Sequence, residues 1–114
     1  MNATTRLPDL DPRGALALLD GGQAILVDVR EPQEWSAGHA PQAEHRPLGD
    51  LDPTALDPTR PVIAICRSGN RSGKAADLLA AAGIPVHNLA GGMKAWAEEG
   101  LPVVTDAGKA GTVA

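Results

Sequence analysis

The sequence has 114 residues, enough for one hydrophobic core and too few for two. A formal net charge of −4 and an aromatic content of 2%, all of it in Trp35 and Trp96, argue against nucleic acid or an anionic membrane as partner. No apolar run approaches the roughly 20 residues that span a bilayer, residues 1–6 lack the apolar segment of a signal peptide, and one cysteine makes no internal disulfide, so a cytoplasmic location is the default expectation.

In chain order, Arg6-Leu7-Pro8 reads as a short edge strand, because proline is tolerated only at an edge or a strand end. Asp11-Pro12 is an N-cap followed by proline at the first helical position; Leu16 and Leu19 share one face of that helix, which stops at Asp20-Gly21-Gly22. The continuous apolar run from Ala24 to Val29 marks a central strand covered on both faces. Glu31 to Trp35 is a short helix ended by Gly38. From His39 to Pro61 prolines break the chain into short pieces, with a brief strand over Ala43 to Arg46 and one helical turn capped by Asp52-Pro53.

Beyond it, a strand from Val62 to Cys66 leads through a polar loop into a helix from Ser72 to Ala82, with Gly83 as its C′ residue. Val86 to Leu89 is a further strand, Gly91-Gly92 permits a sharp turn, and a last helix runs from Met93 to Glu99, closed by Gly100. Residues 1–104 form one domain, and residues 105–114, small and polar, are expected as a disordered tail. Strands alternating with helices imply crossover connections: an α/β sandwich with a mainly parallel sheet between helical layers.

The only cysteine stands where the strand from Val62 ends and the loop Arg67-Ser68-Gly69-Asn70-Arg71-Ser72 begins. In open α/β sheets ligands bind outside these carboxyl ends, and a tight loop can wrap its N–H groups around an anion. A lone cysteine that merely packs as a small hydrophobe is the plain alternative. Two arginines and a helix start beside the thiol favour the thiolate, which is the nucleophilic form. Moving a thiol from about 8.5 to about 6.5 takes roughly 2.7 kcal/mol. A helix N-terminus supplies about 0.3–1 kcal/mol, up to ~2 when partly buried, so N–H bonds and arginine charge must provide the rest. Arg67 and Arg71 either face the sulfur or stand in solvent as solubilising charges. A nucleotide-binding P-loop is disfavoured, since Ser68 and Ala75 occupy places that motif gives to glycine and to serine or threonine.

The loop Cys66-Arg67-Ser68-Gly69-Asn70-Arg71-Ser72 resembles the active-site loop of single-domain rhodaneses, the thiosulfate sulfurtransferase family. Other stretches resemble the family in order and spacing: Leu26 to Glu31 with Glu34; Gly38-His39 with Pro41 and Ala43; Pro47-Leu48; Leu89 to Gly92 leading to Ala95-Trp96; and Gly100 to Val103. The resemblance implies a three-layer fold with a five-stranded, mainly parallel sheet. It implies that Cys66 takes the sulfane sulfur of thiosulfate as a persulfide, releases sulfite, and yields the sulfur to cyanide, a thiol or a protein. Arg67, Ser68, Gly69, Asn70, Arg71 and Ser72 then hold the substrate, and the cationic loop favours thiosulfate over mercaptopyruvate. A sulfur carrier acting with a partner protein is the alternative. A phosphatase or arsenate reductase is disfavoured, because phosphatases of this fold carry a loop one residue longer. With no second cysteine to resolve a persulfide, the sulfur must leave to an outside acceptor.

Asp28, Arg30 and His39 are expected to support neighbouring loops rather than to catalyse. His45 and His87 show no metal-ligand spacing with Cys66, so neither a metal nor a cofactor is expected. Trp96 reads as core, and Asp77 with Lys74 as a solvated helix pair. Glu44 and Arg46 alternate onto one face of their strand where the family is apolar, which suggests an exposed edge or an interface.

Overall fold

Two apolar runs make the centre of the sheet in the computed structural model, which describes residues 5–114. β1 (Ile25–Asp28) and β3 (Val62–Ile65) lie parallel, with Val27 opposite Ala64 and Asp28 opposite Ile65, and every residue of both is buried. β2 (Ala43–His45) adds to the free side of β1 and β4 (Val86–Asn88) to that of β3, giving the order β2-β1-β3-β4 with every pairing parallel. The chain therefore reverses its direction of growth between β1 and β3, and the carboxyl ends of those two strands are the switch point at which sheets of this kind bind ligands.

Strand alternation sorts the core into two layers. Ile25, Val27, Val62, Ala64 and Val86 pack with Ala75, Ala76 and Leu79 of α3 (Asn70–Ala81). Leu26, Ile63 and Ile65 point the other way, onto Ala15 of α1 (Pro12–Asp20) and Met93 and Trp96 of α4 (Gly92–Glu98). Trp96 is fully buried and its Nε1–H donates to the Pro102 carbonyl at 2.8 Å. One residue past β3, the same alternation places Cys66 with Val62 and Ala64 on the α3 side.

Local chemistry sets the element ends. The Asp11 carboxylate accepts from the Gly14 N–H at 2.7 Å with Pro12 opening α1. In α2 (Pro32–Ala37) the Glu34 carboxylate reaches back to the Glu31 N–H at 3.0 Å. Asp52 caps the expected single turn, Pro53–Ala55, by accepting from the Thr54 N–H, and a second such turn spans Leu48–Asp50. No helix among the described residues is long and apolar enough to cross a membrane.

Four expectations change. The sheet has four strands rather than five: the segment around Arg6-Leu7-Pro8 follows β4 only through isolated bridges, Arg6 to Val86 and Leu10 to Leu89, because it carries one extra residue between them; the Leu7 N–H donates to the Val86 carbonyl, and the next N–H to reach β4 is that of Leu10, on the Asn88 carbonyl. α3 begins at Asn70 rather than Ser72, since Gly69, at φ 108°, takes the N-cap. Asp77 accepts from Arg6 at 3.1 Å instead of pairing with Lys74. Residues 105–114, expected as a disordered tail, are placed against α2: Thr112 N–H donates to the Ala37 carbonyl and Gly111 N–H to that of Val103. Glu44 and Arg46 do lie on the edge strand side, where Glu44 is exposed and the pair stands 3.6 Å apart.

α4 fixes the loop that follows β3. The Met93 N–H donates to the Cys66 carbonyl at 2.7 Å and the Lys94 N–H to the Arg67 carbonyl at 3.0 Å. That approach needs a glycine: at Gly92, φ 58°, a Cβ would overlap the Cys66 carbonyl oxygen and come within 2.6 Å of the Arg67 carbonyl group. Gly22, φ 68°, has the same backbone demand with nothing within 4 Å of a Cβ. Both Gly→Ala variants carry left-handed strain of about 1–2 kcal/mol. Gly92→Ala is expected to lower the urea midpoint clearly further than Gly22→Ala; equal midpoints would contradict the close approach.

Candidate active site

The chain beyond β3 has its carbonyls turned outward onto α4, which leaves its N–H groups free to face inward. The Gly69 N–H donates to Cys66 Sγ at 3.0 Å, and the Ser72 hydroxyl, one turn into α3, lies 3.3 Å from the same sulfur. Cys66 is only 1% exposed, yet its sulfur meets polar donors rather than aliphatic carbon alone. Burial, the largest single influence, pushes the thiol up. The Ser72 hydroxyl and the backbone N–H groups of Ser72, Gly69 and Ser68 outweigh it together and hold the thiol below its ordinary value. The start of a twelve-residue helix points at the same atom.

The two loop arginines are both engaged. Arg71 makes a two-pronged pair with Glu34 of α2, Nη1 to Oε1 at 2.6 Å and Nη2 to Oε2 at 2.8 Å. The Arg71 bond drives the Glu34 carboxyl from 4.5 down to about 2, against a smaller opposing effect of burial. The Glu34 bond likewise holds Arg71 protonated more firmly; the nearby charges of Glu34, Cys66 and Asp28 act in the same direction. Arg67 is exposed, and its Nε–H donates to the Ala114 carbonyl oxygen at 2.9 Å, so the end of residues 105–114 lies on the loop. Ser68 and Asn70 are exposed on the outer side.

Asp28 and Arg30 meet beside the loop as a fully buried ion pair, Nη2 to Oδ2 at 2.9 Å, and Arg30 Nη2 also donates to the Gly38 carbonyl at 2.7 Å. The pair ties the end of β1 to the residues after α2. His39 does not bond Cys66. Its Nδ1–H donates to the Trp35 carbonyl at 3.0 Å, its Nε2 lies 3.4 Å from Asp106, and its ring stacks on Trp35 at 3.5 Å between centroids. His45 stacks near the same indole at 4.7 Å, and Trp35 Nε1–H donates to Asp106. No group of metal-ligating side chains occurs among the described residues.

Two contributors escaped the sequence reading of the site. Glu34 was noticed only as a point of resemblance, and its partner is 37 positions away. Asn88, at the end of β4, was not singled out at all; its Oδ1 accepts from Ser72 Oγ at 2.6 Å and its Nδ2 donates to the Gly69 carbonyl at 3.2 Å. The available signal was that Asn88, a polar residue, shares the inward face of β4 with Val86 and stands level with Ala64, two residues before Cys66.

Comparison with known proteins matches residues 11–99 to the rhodanese-like domain. The chain is 40% identical over 82 residues to the Bacillus subtilis (strain 168) protein YtwF, provisionally named a sulfurtransferase, covering 70% of this chain and 80% of that one. It spans only 54% of a longer, uncharacterized relative from Synechocystis. A crystal structure of a rhodanese-related protein from Thermoplasma volcanium superposes with a TM-score of 0.79 at 28% identity, covering 86% of this chain and 98% of that one. The thiosulfate sulfurtransferase of Pseudomonas aeruginosa gives 0.77 at 28% identity, over 94% of this chain but 22% of that larger chain.

The Glu34–Arg71 pair makes stability depend on acid in a definite sense. Glu34 titrates near 2 when folded and near 4.5 otherwise, so its contribution is fully present above about 4.5 and is lost as pH falls toward 2. In urea titrations the stability gap between the native chain and Glu34→Gln is expected to be widest at pH 6 and to close toward pH 2. A gap that holds constant over that range would mean the pair adds nothing.

Proposed function

Since the chain belongs to the rhodanese-like domain family, we propose that it is a sulfurtransferase that moves the sulfane sulfur of thiosulfate through a persulfide on Cys66. The observation that carries this reading is the Cys66 sulfur itself: a thiol set at the carboxyl mouth of a parallel sheet, bonded by Gly69 and Ser72 and held below its ordinary value. The kinship with YtwF and with the Pseudomonas thiosulfate sulfurtransferase supports it.

The chemistry follows from those contacts. The Cys66 thiolate attacks the outer sulfur of thiosulfate; a bond forms between Sγ and that sulfur while the sulfur–sulfonate bond breaks, and its electron pair leaves on sulfite. One negative charge starts on Sγ and ends on the terminal persulfide sulfur. The N–H groups of the loop and the start of α3 face Sγ in fixed positions, and in this reading they stabilise the charge as it moves outward without reorganising. The donor's own oxyanion needs positive charge at the crevice of an acidic protein. Arg67 on the exposed rim supplies it once its hold on Ala114 is released, whereas Arg71 is neutralised by Glu34. An acceptor then attacks the terminal sulfur and Sγ leaves as thiolate: cyanide gives thiocyanate, a small thiol or a protein thiol gives a new persulfide. With one cysteine in the sequence the cycle closes only through that outside acceptor, and a reducing cytoplasm, which keeps the thiol free, suits it.

Incubation with thiosulfate and cyanide is expected to produce thiocyanate, and Cys66→Ser to abolish it. Intact mass is expected to rise by one sulfur atom after thiosulfate and to return with a thiol. Undiminished turnover by Cys66→Ser would overturn the assignment. Saturable turnover separates an enzyme from a sulfur carrier, which would pass its sulfur only to a partner protein.

A further inference from the structure

Ser72 has one hydroxyl hydrogen and two claimants for it. Its Oγ lies 2.6 Å from Asn88 Oδ1 and 3.3 Å from Cys66 Sγ. The amide cannot be turned round to share the load: Nδ2 faces the Gly69 carbonyl, which only accepts, so Oδ1 must face Ser72 and can itself only accept. All three side chains are buried, at 8% exposure or less, so water does not relieve the competition. With Cys66 as a thiol every group is satisfied: S–H donates to Oγ, and the Ser72 hydroxyl donates to Asn88. With Cys66 as a thiolate the single hydrogen must turn to the sulfur, and Asn88 Oδ1 is left facing an oxygen lone pair. A persulfide carries its charge one atom further out; Sγ is then neutral, and the hydrogen can return to Asn88.

Building on the reading of Cys66 as the reactive thiol, we infer that Asn88 is a positioning residue that draws the Ser72 hydroxyl hydrogen away from Sγ and so favours the two states in which Sγ is uncharged. The thiolate between them is held by the loop N–H groups and only on demand by Ser72, which leaves it less stabilised and a stronger nucleophile toward the sulfur donor. The other contact of Asn88 is not what the loop depends on: the Gly69 carbonyl also accepts from the Gly73 N–H at 3.0 Å as the first bond of α3, so removing the amide leaves Gly69 oriented.

The test is the pH at which Cys66 becomes reactive, read from the rate of alkylation by iodoacetamide across pH. Asn88→Ala frees the hydroxyl for the sulfur and is expected to shift the Cys66 midpoint down by about half to one unit, roughly three- to tenfold in thiolate content below the midpoint. Asn88→Asp keeps the acceptor and adds a negative charge, and is expected to shift it up by about one unit or more. Ser72→Ala removes the shared hydrogen, so adding Asn88→Ala in that background is expected to move the midpoint little further. Apart from the carboxylate that Asn88→Asp adds, the charged groups around the thiol are the same in every variant: Arg67 of the loop, Arg71 of α3 paired with Glu34 of α2, and the Asp28–Arg30 pair after β1. Equal shifts from Asn88→Ala with and without Ser72, or upward shifts from both Asn88 variants, would show that Asn88 only props the loop. If Asn88→Ala does not fold, Asn88→Leu, which fills the same space and offers no acceptor, is expected to shift the midpoint down likewise, and an upward shift or none would show that Asn88 only props the loop. Alkylation needs no thiosulfate, so the result stands apart from whether thiosulfate is the donor.

Discussion

The site depends on where two carbonyl groups point. Met93 and Lys94, at the start of α4, take the Cys66 and Arg67 carbonyls, and a peptide whose oxygen is held outward must turn its N–H toward the opposite side. That turns the N–H groups of Arg67 and Ser68 inward, so that the Ser68 N–H acts on the sulfur beside the Gly69 N–H and the start of α3. Two helices thus serve one loop from opposite sides: α4 binds its oxygens and α3 offers its amide end to the thiol. Gly92 is the residue that allows α4 so close, and Gly69 the one whose left-handed backbone closes the curve.

Charge plays a narrower part than a cationic loop suggests. Arg71 gives both outer nitrogens to Glu34, so its net field at the sulfur is that of an ion pair rather than of a free cation. Glu34 also caps α2 through the Glu31 N–H, which makes one carboxylate responsible for both the start of a helix and the position of Arg71. The thiol is held low by dipoles: backbone N–H groups and one hydroxyl, acting over about 3 Å where the surrounding dielectric is low. An acidic chain can stabilise an anion in this way because dipoles oriented by the fold do not depend on net charge.

Much of this was legible in the residues, and the illegible part has a common cause. The runs Ile25–Asp28 and Val62–Ile65 announce buried strands by themselves, and a lone cysteine at the end of one, followed by glycine and a helical pattern, announces the loop. The start of α3 was set two residues late because the apolar repeat begins only at Ala75, while Asn70 and Arg71 are helical without contributing to the core. A fifth strand was expected from Arg6 to Pro8 because edge position excuses a proline; two bridges form there, but an extra residue between them shifts the register and prevents a ladder. Pairings such as Arg71 with Glu34, Ser72 with Asn88 and Arg67 with Ala114 join distant parts of the chain, and nothing local in either partner specifies the other.

A buried sulfur nucleophile meets two opposed demands. Burial at 1% exposure raises the thiol and would leave little anion at neutral pH, so donors are required. Too many donors would bind the anion so well that it no longer attacks, since nucleophilicity falls as the thiol becomes more acidic. The arrangement around Cys66 answers the first demand with N–H groups that cannot turn away. It answers the second with a hydroxyl that can, because Asn88 offers its hydrogen a competing acceptor 2.6 Å away. In the proposed transfer, fixed donors set how much thiolate exists, and the movable one sets how strongly that thiolate is held at the moment of attack.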